Sequence, residues 1–176
     1  MAILEFPAVY LLHGTGGSPE GSVRLLQAEL AKCGAKQNYV RPLMPHSDPN
    51  VPPSESVQYL RDLRIPDGSL LVGISLGGLV AAKLQEVGRP DLHVICINSP
   101  TRAGETALHG WVKHRVSLYS SSDIVLAGRT NHWPLLTPEA HDIAWLDGHD
   151  IDPHSEALAH ILASYMQAGL INLEGR

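Results

Sequence analysis

Short apolar runs alternate along the chain with segments in which apolar residues recur at helical spacing. Six apolar runs of four to six residues are predicted to be strands: Val9–Leu12, Tyr39–Leu43, Leu70–Ile74, Leu92–Ile97, Arg115–Tyr119 and Asp142–Leu146. Runs of this kind, separated by helical segments, are typical of strands that are covered on both faces. The pattern therefore predicts an α/β fold in which a mostly parallel sheet of about six strands carries helices on both faces.

Four helices are predicted from the periodic segments. Ser18, which is followed by a proline and a glutamate, is predicted to cap the first helix, and Ser54 the second. The third helix is predicted to begin at Leu76 and to be the most buried, because it is apolar on nearly every side. Asp152, again followed by proline, is predicted to open the last helix.

Length and cysteine content fit one compact domain that needs no disulfide bonds to fold. The 176 residues are predicted to form a single domain over residues 1–170, with residues 171–176 as a loose tail. Cys33 and Cys96 lie in a predicted helix end and a predicted strand, so two free thiols are expected rather than a bridge. Free thiols favour a reducing compartment, and the chain is expected to be cytoplasmic.

Charge and hydropathy narrow the choice of partner. The net charge is −5, and no two Lys or Arg residues are adjacent, which argues against nucleic acid or an anionic membrane surface as the main partner. The first twelve residues include Glu5 and Pro7 and are predicted to lead into a strand rather than to form a signal peptide. A small molecule is the expected ligand, and the sequence leaves the oligomeric state open.

The strongest chemical signal is Gly73–Gly77, with the sequence Gly-Ile-Ser-Leu-Gly, where the third predicted strand meets the third predicted helix. A serine at such a sharp turn takes strained backbone angles, and glycines two residues away on either side remove side chains that would collide as the turn closes. The hydroxyl of Ser75 is thereby exposed at the carboxyl end of the sheet, beside a helix N-terminus that favours negative charge. Ser75 is the predicted nucleophile.

In this motif and its context the chain resembles the α/β-hydrolase superfamily, in a minimal form without a cap domain. The resemblance extends from His13 to the last helix. The segment His13–Gly17, with the sequence His-Gly-Thr-Gly-Gly, matches the loop from which that family takes one backbone N–H of its oxyanion hole. The resemblance implies that Thr15 supplies this N–H and that Leu76, the residue after the nucleophile, supplies the second.

The resemblance also implies an acid and then a histidine, in that chain order, after the nucleophile. Asp123 follows the fifth predicted strand and His149 the sixth, so these two complete the expected triad with Ser75. His154 is a second choice for the base. Other carboxylates follow the serine and stay open as candidates for the acid: Asp91, Asp142, Asp147, Asp150 and Asp152.

These residues together predict a serine hydrolase that cleaves carboxylic esters or thioesters through an acyl-enzyme on Ser75, with no cofactor and no metal. His13 is expected to shape the oxyanion loop by bonding backbone, and Trp111 and Trp133 are candidates for the wall of the substrate pocket, as is His13 itself. Only residues 98–114 separate the fourth and fifth strands, enough for one short helix, so no lid is predicted.

The short chain and the opening His-Gly-Thr-Gly-Gly-Ser also resemble the compact serine hydrolases of the retinoblastoma-binding-protein type. The first predicted helix lacks a tryptophan expected for that type, so this likeness implies neither substrate nor partner. Two alternatives stay open. The chain could be a catalytically silent binding protein of the same fold. It could also be a metal-dependent hydrolase that uses the cluster from His149 to His154.

Overall fold

The computed structural model describes residues 5–101, 108, 112–127 and 139–174. Within these ranges the six strands are β1 (Val9–Leu12), β2 (Tyr39–Val40), β3 (Leu70–Ile74), β4 (His93–Ile97), β5 (Arg115–Tyr119) and β6 (Glu139–Asp142). The four α-helices are α1 (Ser22–Lys32), α2 (Pro53–Asp62), α3 (Leu76–Glu86) and α4 (Ser155–Ala168). Short 3-10 turns cover Pro45–Ser47 and Asp152–His154.

The strands form one sheet in the order β2-β1-β3-β4-β5-β6, and every neighbouring pair is parallel. The predicted fold class, a parallel six-stranded sheet with helices on both faces, is confirmed. Because all strands run the same way, their carboxyl ends lie along one edge. The segments that carry Ser75, Asp123 and His149 all begin at that edge.

Two apolar layers pack on the two faces of the sheet. Helices α1 and α4 contact each other and bury their apolar sides against one face, together with Val9 and Leu11 of β1. Helices α2 and α3 cover the opposite face, where Tyr10 and Leu12 of the same strand are buried. Eight of the 11 residues of α3 are buried, as its all-round apolar sequence predicts. No described helix has the length and apolar character needed to cross a membrane.

Strand boundaries differ from the prediction at both edges of the sheet. β6 covers Glu139–Asp142, so the predicted strand Asp142–Leu146 begins three residues and ends four residues too late. Ile143 and Leu146 are nevertheless buried, because the turn that contains them packs against the face covered by α4. β2 pairs with β1 only at Tyr39 and Val40, and the rest of the predicted run is not in the sheet. A run of apolar residues indicates that the segment is buried. An edge strand, in contrast, can pair with its neighbour even when it is short and polar.

Three of the four predicted helix starts differ from the structure, whereas α3 begins at Leu76 as predicted. α1 begins at Ser22 with Gly21 as its N-cap, and the Ser18 hydroxyl instead accepts a hydrogen bond from the Glu20 N–H in the preceding loop. Ser54 lies inside α2, which begins one residue earlier. Asp152 opens a 3-10 turn three residues before α4 rather than α4 itself. Proline at the start of a turn is compatible with either kind of helix, so the sequence could not separate them.

Candidate active site

Ser75 connects β3 directly to α3 in a strained backbone conformation. Its φ is 51° and its ψ is −122°, in a region that residues with a Cβ rarely adopt. The Ser75 N–H donates to the Ile97 carbonyl of the neighbouring strand at 2.8 Å. The turn presents the side chain to a pocket of about 920 Å³ at the carboxyl edge of the sheet. The Gly-Ile-Ser-Leu-Gly segment therefore forms the turn that its sequence predicts.

Glycines make this turn possible because main-chain atoms of neighbouring segments approach each other too closely for a side chain. A Cβ on Gly73 would lie 2.2 Å from the Gly78 nitrogen, and a Cβ on Gly77 would lie 2.6 Å from the carbonyl oxygens of Leu12 and His13. A Cβ on Gly78 would lie 2.0 Å from the Ser99 hydroxyl and 2.8 Å from the Gly73 oxygen. None of these contacts leaves room for a methyl group. Gly78 lies outside the motif, and the sequence analysis did not identify it as part of the turn.

Asp123 and His149 meet behind the pocket. Asp123 Oδ2 lies 2.6 Å from His149 Nδ1, and the carboxylate side chain is only 1% exposed. The other oxygen, Oδ1, accepts backbone N–H bonds from Val125 at 2.9 Å and Leu126 at 3.2 Å. Both oxygens are therefore fixed, and the acceptor at Nδ1 favours the imidazole tautomer that carries its proton there. His149 is 27% exposed and lines the pocket with Ser75.

The other carboxylates that the sequence left open have different contacts. Asp91 pairs with Arg89, which holds its pKa down at about 2, and it also accepts the Gly68 N–H. Asp142 and Asp147 accept hydrogen bonds from Ser121 and Ser122, and Asp150 accepts the N–H of Asp152. Among the described residues, Asp123 is the carboxylate bonded to His149. The second choice for the base, His154, packs its ring 5.8 Å from that of Trp145, in another groove.

Ser75 and His149 line the same pocket but are not in hydrogen-bond contact; within the described residues, the Ser75 hydroxyl has no hydrogen bond to the imidazole. Catalytic hydrogen bonds are often long without a ligand and shorten in the reacting complex. The arrangement brings the predicted nucleophile, base and acid to one edge of the sheet from three different strands.

The loop after β1 lies against Ser75. A Cβ on Gly14 would lie 3.1 Å from the Ser75 Cβ, which shows how closely this backbone approaches the nucleophile. The Gly14 carbonyl accepts a bond from His13 Nδ1 at 2.8 Å and from the Gly17 N–H at 3.1 Å. In a trans peptide the carbonyl and the following N–H point in opposite directions, so these bonds also fix the orientation of the Thr15 N–H.

Two backbone donors are free at this point. No described residue accepts a hydrogen bond from the N–H of Thr15 or from the N–H of Leu76, the first residue of α3. Unpaired N–H groups beside a nucleophile are the donors that an oxyanion requires. These are the two positions that the resemblance implied.

His13 is a buried scaffold residue, as the sequence analysis expected. Its Nε2 accepts the Met44 N–H at 3.0 Å, so its proton lies on Nδ1, where it bonds Gly14. No pattern in the sequence marks His46, which is fully buried and whose Nε2 bonds the His13 carbonyl at 2.8 Å. The His46 carbonyl accepts the Gly16 N–H, and its Nδ1 bonds Ser56. Burial lowers the pKa of both imidazoles, which keeps both rings neutral.

The pocket has both apolar and polar lining residues. The apolar residues that line it are Pro53, Ile74, Leu76, Leu79, Pro100, Val125, Leu126 and Ile151. Glycines, serines and Thr15 between Gly14 and Ser22 also line it. Trp111 and Trp133, which the sequence analysis proposed for the wall, lie outside the described residues, as does most of the segment considered for a lid. The described residues contain no group of three or more His, Cys, Asp or Glu side chains placed to hold a metal ion.

Comparison with known proteins identifies the fold. Neither the protein-family models nor the curated proteins give a match to this sequence. Solved structures do. The ydeN gene product from B. subtilis has a TM-score of 0.70 at 16% identity and covers 90% of this chain and 97% of its own. Alpha/beta hydrolase domain-containing protein 10 from mouse has a TM-score of 0.71 at 11% identity, with 91% and 88% covered.

A third solved structure, a serine hydrolase involved in carbazole degradation, has a TM-score of 0.69 at 14% identity and covers 92% of this chain and 91% of its own. The chain therefore has the α/β-hydrolase fold. At these identities the likeness establishes architecture, and function has to be argued from the site.

Proposed function

We propose that this protein is a serine hydrolase that cleaves carboxylic esters or thioesters through an acyl-enzyme on Ser75. The observation that carries the proposal is the buried hydrogen bond between Asp123 and His149. His149 lines the same pocket as Ser75, which has a strained backbone conformation at a strand-to-helix turn. Strain at a position of this kind persists only where the surrounding structure enforces it, and it clusters at functional sites. The presence of a serine hydrolase among the structural neighbours supports the same reaction class.

In the proposed reaction, Ser75 Oγ attacks the acyl carbonyl while His149 accepts the hydroxyl proton on Nε2. Asp123 holds the imidazole in the required tautomer and stabilises the imidazolium. The N–H groups of Thr15 and Leu76 bind the oxyanion of the tetrahedral intermediate. His149 then gives its proton to the leaving alcohol or thiol, and a water molecule activated by the same histidine releases the acid and restores Ser75.

The substrate side of the proposal follows from the residues that line the pocket. An apolar acyl group fits the apolar part of the lining, which includes Leu79, Val125 and Leu126, since each buried methylene contributes about 0.8 kcal/mol. The Thr15 N–H, which no described residue accepts, is available to the polar part of the substrate. We therefore propose a small, neutral ester or thioester as the substrate.

A fluorophosphonate probe tests the proposed nucleophile. The wild-type protein is expected to be labelled and Ser75→Ala is expected not to be, because the probe reacts only with an activated serine. Ser22→Ala is the matched control, since Ser22 lines the same pocket with another hydroxyl and should leave labelling intact. Folded wild-type protein that is not labelled would contradict the proposal and favour a silent binding protein. Activity that survives Ser75→Ala but is lost with a chelator would favour a metal-dependent hydrolase.

A further inference from the structure

Asn98, which the catalytic proposal does not use, lies at the centre of the carboxyl edge of the sheet. It directly follows β4, is completely buried and has a φ of 47°. Its side-chain Nδ2 donates to the carbonyls of Gly148 at 3.2 Å and His149 at 3.4 Å, and its Oδ1 accepts the Ser120 N–H at 3.0 Å. Moving a buried amide whose polar atoms are all hydrogen-bonded would leave polar groups unpaired, which costs free energy.

The partners fix which way the amide faces. Nδ2 has two hydrogens and meets two carbonyl oxygens, whereas Oδ1 meets an N–H. The flipped amide would place oxygen against two oxygens and nitrogen against a donor. The hydrogen bonds of Asn98 therefore hold the loop before and at His149 in one position relative to the ends of β4 and β5.

The neighbours of Asn98 connect it to the other two members of the triad. The preceding residue, Ile97, accepts the N–H of Ser75 at 2.8 Å. Ser120, whose N–H bonds Asn98, accepts the N–H of Asp123 through its own carbonyl at 3.2 Å. The chain segments that carry nucleophile, acid and base thus meet at residues 97–98 through direct hydrogen bonds or one intervening residue.

We propose that Asn98 is a positioning residue, whose side-chain amide aligns the His149 loop with Ser75 and Asp123; this inference rests on the proposed serine hydrolase function. Asparagine meets two requirements at once here. It tolerates the left-handed backbone conformation, and it supplies two donors and one acceptor from a short side chain. Glycine meets the first requirement only, and aspartate lacks both donors.

The test is a double-mutant cycle on hydrolysis of a p-nitrophenyl ester. Asn98→Asp and Asn98→Gly are each expected to lower kcat/KM about 10- to 100-fold, since small displacements of a catalytic group cost up to about two orders of magnitude. The loss is expected in kcat, with KM changed less than about twofold, because the amide does not face the pocket. In a His149→Ala background the same substitutions should change the residual rate less than about twofold, because their effect acts through His149.

Gln85→Ala is the matched control. Gln85 is also fully buried, donates to two carbonyls, those of Leu92 and His114, and accepts from Arg115, but it lies at the opposite edge of the sheet. Gln85→Ala should lower the thermal midpoint at least as much as the Asn98 variants do. Its kcat/KM should be unchanged at temperatures where the protein is folded.

Unchanged kcat/KM in both Asn98 variants, or an equal loss with and without His149, would overturn the positioning role and leave the proposed function standing. Wild-type protein that neither hydrolyses esters nor reacts with the fluorophosphonate would overturn both. Asn98→Gly keeps the backbone conformation available, so a failure of Asn98→Asp to fold would not prevent the measurement.

Discussion

Asp123 and His149 are 26 residues apart in sequence, yet Oδ2 of the first lies 2.6 Å from Nδ1 of the second. The remaining carboxylate oxygen is held by the backbone N–H groups of Val125 and Leu126. The carboxylate therefore has a fixed direction before any substrate binds. An orienting acid held in this way stabilises one imidazole tautomer and the imidazolium that forms during the reaction.

Asp123→Asn is expected to leave the fold intact and to lower kcat by a large factor, of the order of the 10⁴ known for the tautomer error in another triad enzyme. The asparagine oxygen can still accept the N–H groups of Val125 and Leu126, while its NH₂ would face His149 and favour the wrong tautomer. Ester hydrolysis and circular dichroism measure the two effects. Asp147→Asn, a neutral replacement of a nearby exposed carboxylate, should change kcat less than about threefold. Equal losses in both variants would place the acid elsewhere.

Ser75→Gly is expected to be more stable than Ser75→Ala. The φ of 51° strains any residue with a Cβ, by roughly 1–3 kcal/mol, whereas glycine adopts it freely. The Ser75 hydroxyl makes no capping bond to α3, so its removal costs no cap. A difference of about 1 kcal/mol corresponds to about 2–4 °C in thermal midpoint for a chain of this size. Both variants should be inactive, and equal midpoints would mean that the strain is relieved by local movement.

Gly78→Ala is expected to lower the free energy of unfolding by about 3 kcal/mol or more. The added methyl would lie 2.0 Å from the Ser99 hydroxyl and 2.8 Å from the Gly73 carbonyl, and the second of these is backbone that cannot turn aside. Gly21→Ala is the control, because its nearest new contact is 3.6 Å and its φ is −88°. Urea denaturation of the two variants compares them directly. A loss below about 1 kcal/mol for Gly78→Ala would show that α3 can shift away from β3.

Val125→Ser is expected to weaken the preference for longer acyl chains. Val125 lines the pocket, and the neighbouring Ile124, which is 87% exposed, does not. In the wild type, kcat/KM for p-nitrophenyl esters should rise from acetate to hexanoate, because each methylene buried on binding contributes up to about 0.8 kcal/mol. Val125→Ser should flatten that series, while Ile124→Ser should leave it unchanged. If kcat/KM rises equally with acyl chain length in all three proteins, the acyl chain contacts residues other than Val125.

The turn that carries Ser75 was predictable because it depends on local chemistry that the sequence displays, whereas the choice of Asp123 and His149 rested on the chain order that the family resemblance implies. A glycine-flanked serine after an apolar strand can form few turns other than the one observed, and Asp123 and His149 follow the carboxyl ends of strands. Strand edges were less predictable. The run Asp142–Leu146 is apolar because Ile143 and Leu146 pack against the core, while the edge strand itself, Glu139–Asp142, is polar and half-exposed.

The polar scaffold of the site could not be read from the sequence. His46 bonds the His13 carbonyl across 33 residues, and Asn98 bonds the His149 segment across 51. A single histidine in a turn, or a single asparagine at a strand end, has no periodicity that marks it as buried, and most such residues are exposed. The left-handed conformation of Asn98 is a weak signal that asparagine or glycine is favoured there, but it becomes visible only once the fold is known.

The stability of the fold is expected to fall as the pH drops from about 6.5 toward 4, because of a histidine remote from the active site. His93 packs its ring 4.1 Å from that of His114 and shares a hydrogen bond of 2.8 Å with the Tyr165 hydroxyl. Burial, together with the nearby His114 and Lys113, lowers the pKa of His93 to about 4. The ring is therefore neutral in the folded protein at neutral pH.

In the unfolded chain this histidine regains a pKa of about 6.5. Between the two values the unfolded state binds a proton that the folded state does not, so the free energy of unfolding decreases as the pH falls through this window and levels off below about 4. Buried His13 and His46 act in the same direction, whereas the ion-paired Asp91, with a pKa of about 2, contributes only below about pH 4.

Urea denaturation between pH 8 and pH 4 measures the decline. His93→Phe cannot bind the proton and keeps an aromatic ring beside Phe6 and His114, so its stability should decline less steeply than that of the wild type, even though loss of the Tyr165 bond lowers stability at pH 8. His160→Gln, at an exposed position of α4, should follow the wild-type curve. An undiminished slope in His93→Phe would assign the acid sensitivity to the other histidines whose pKa is lowered, which are His114 beside it and His13 and His46 near the loop after β1.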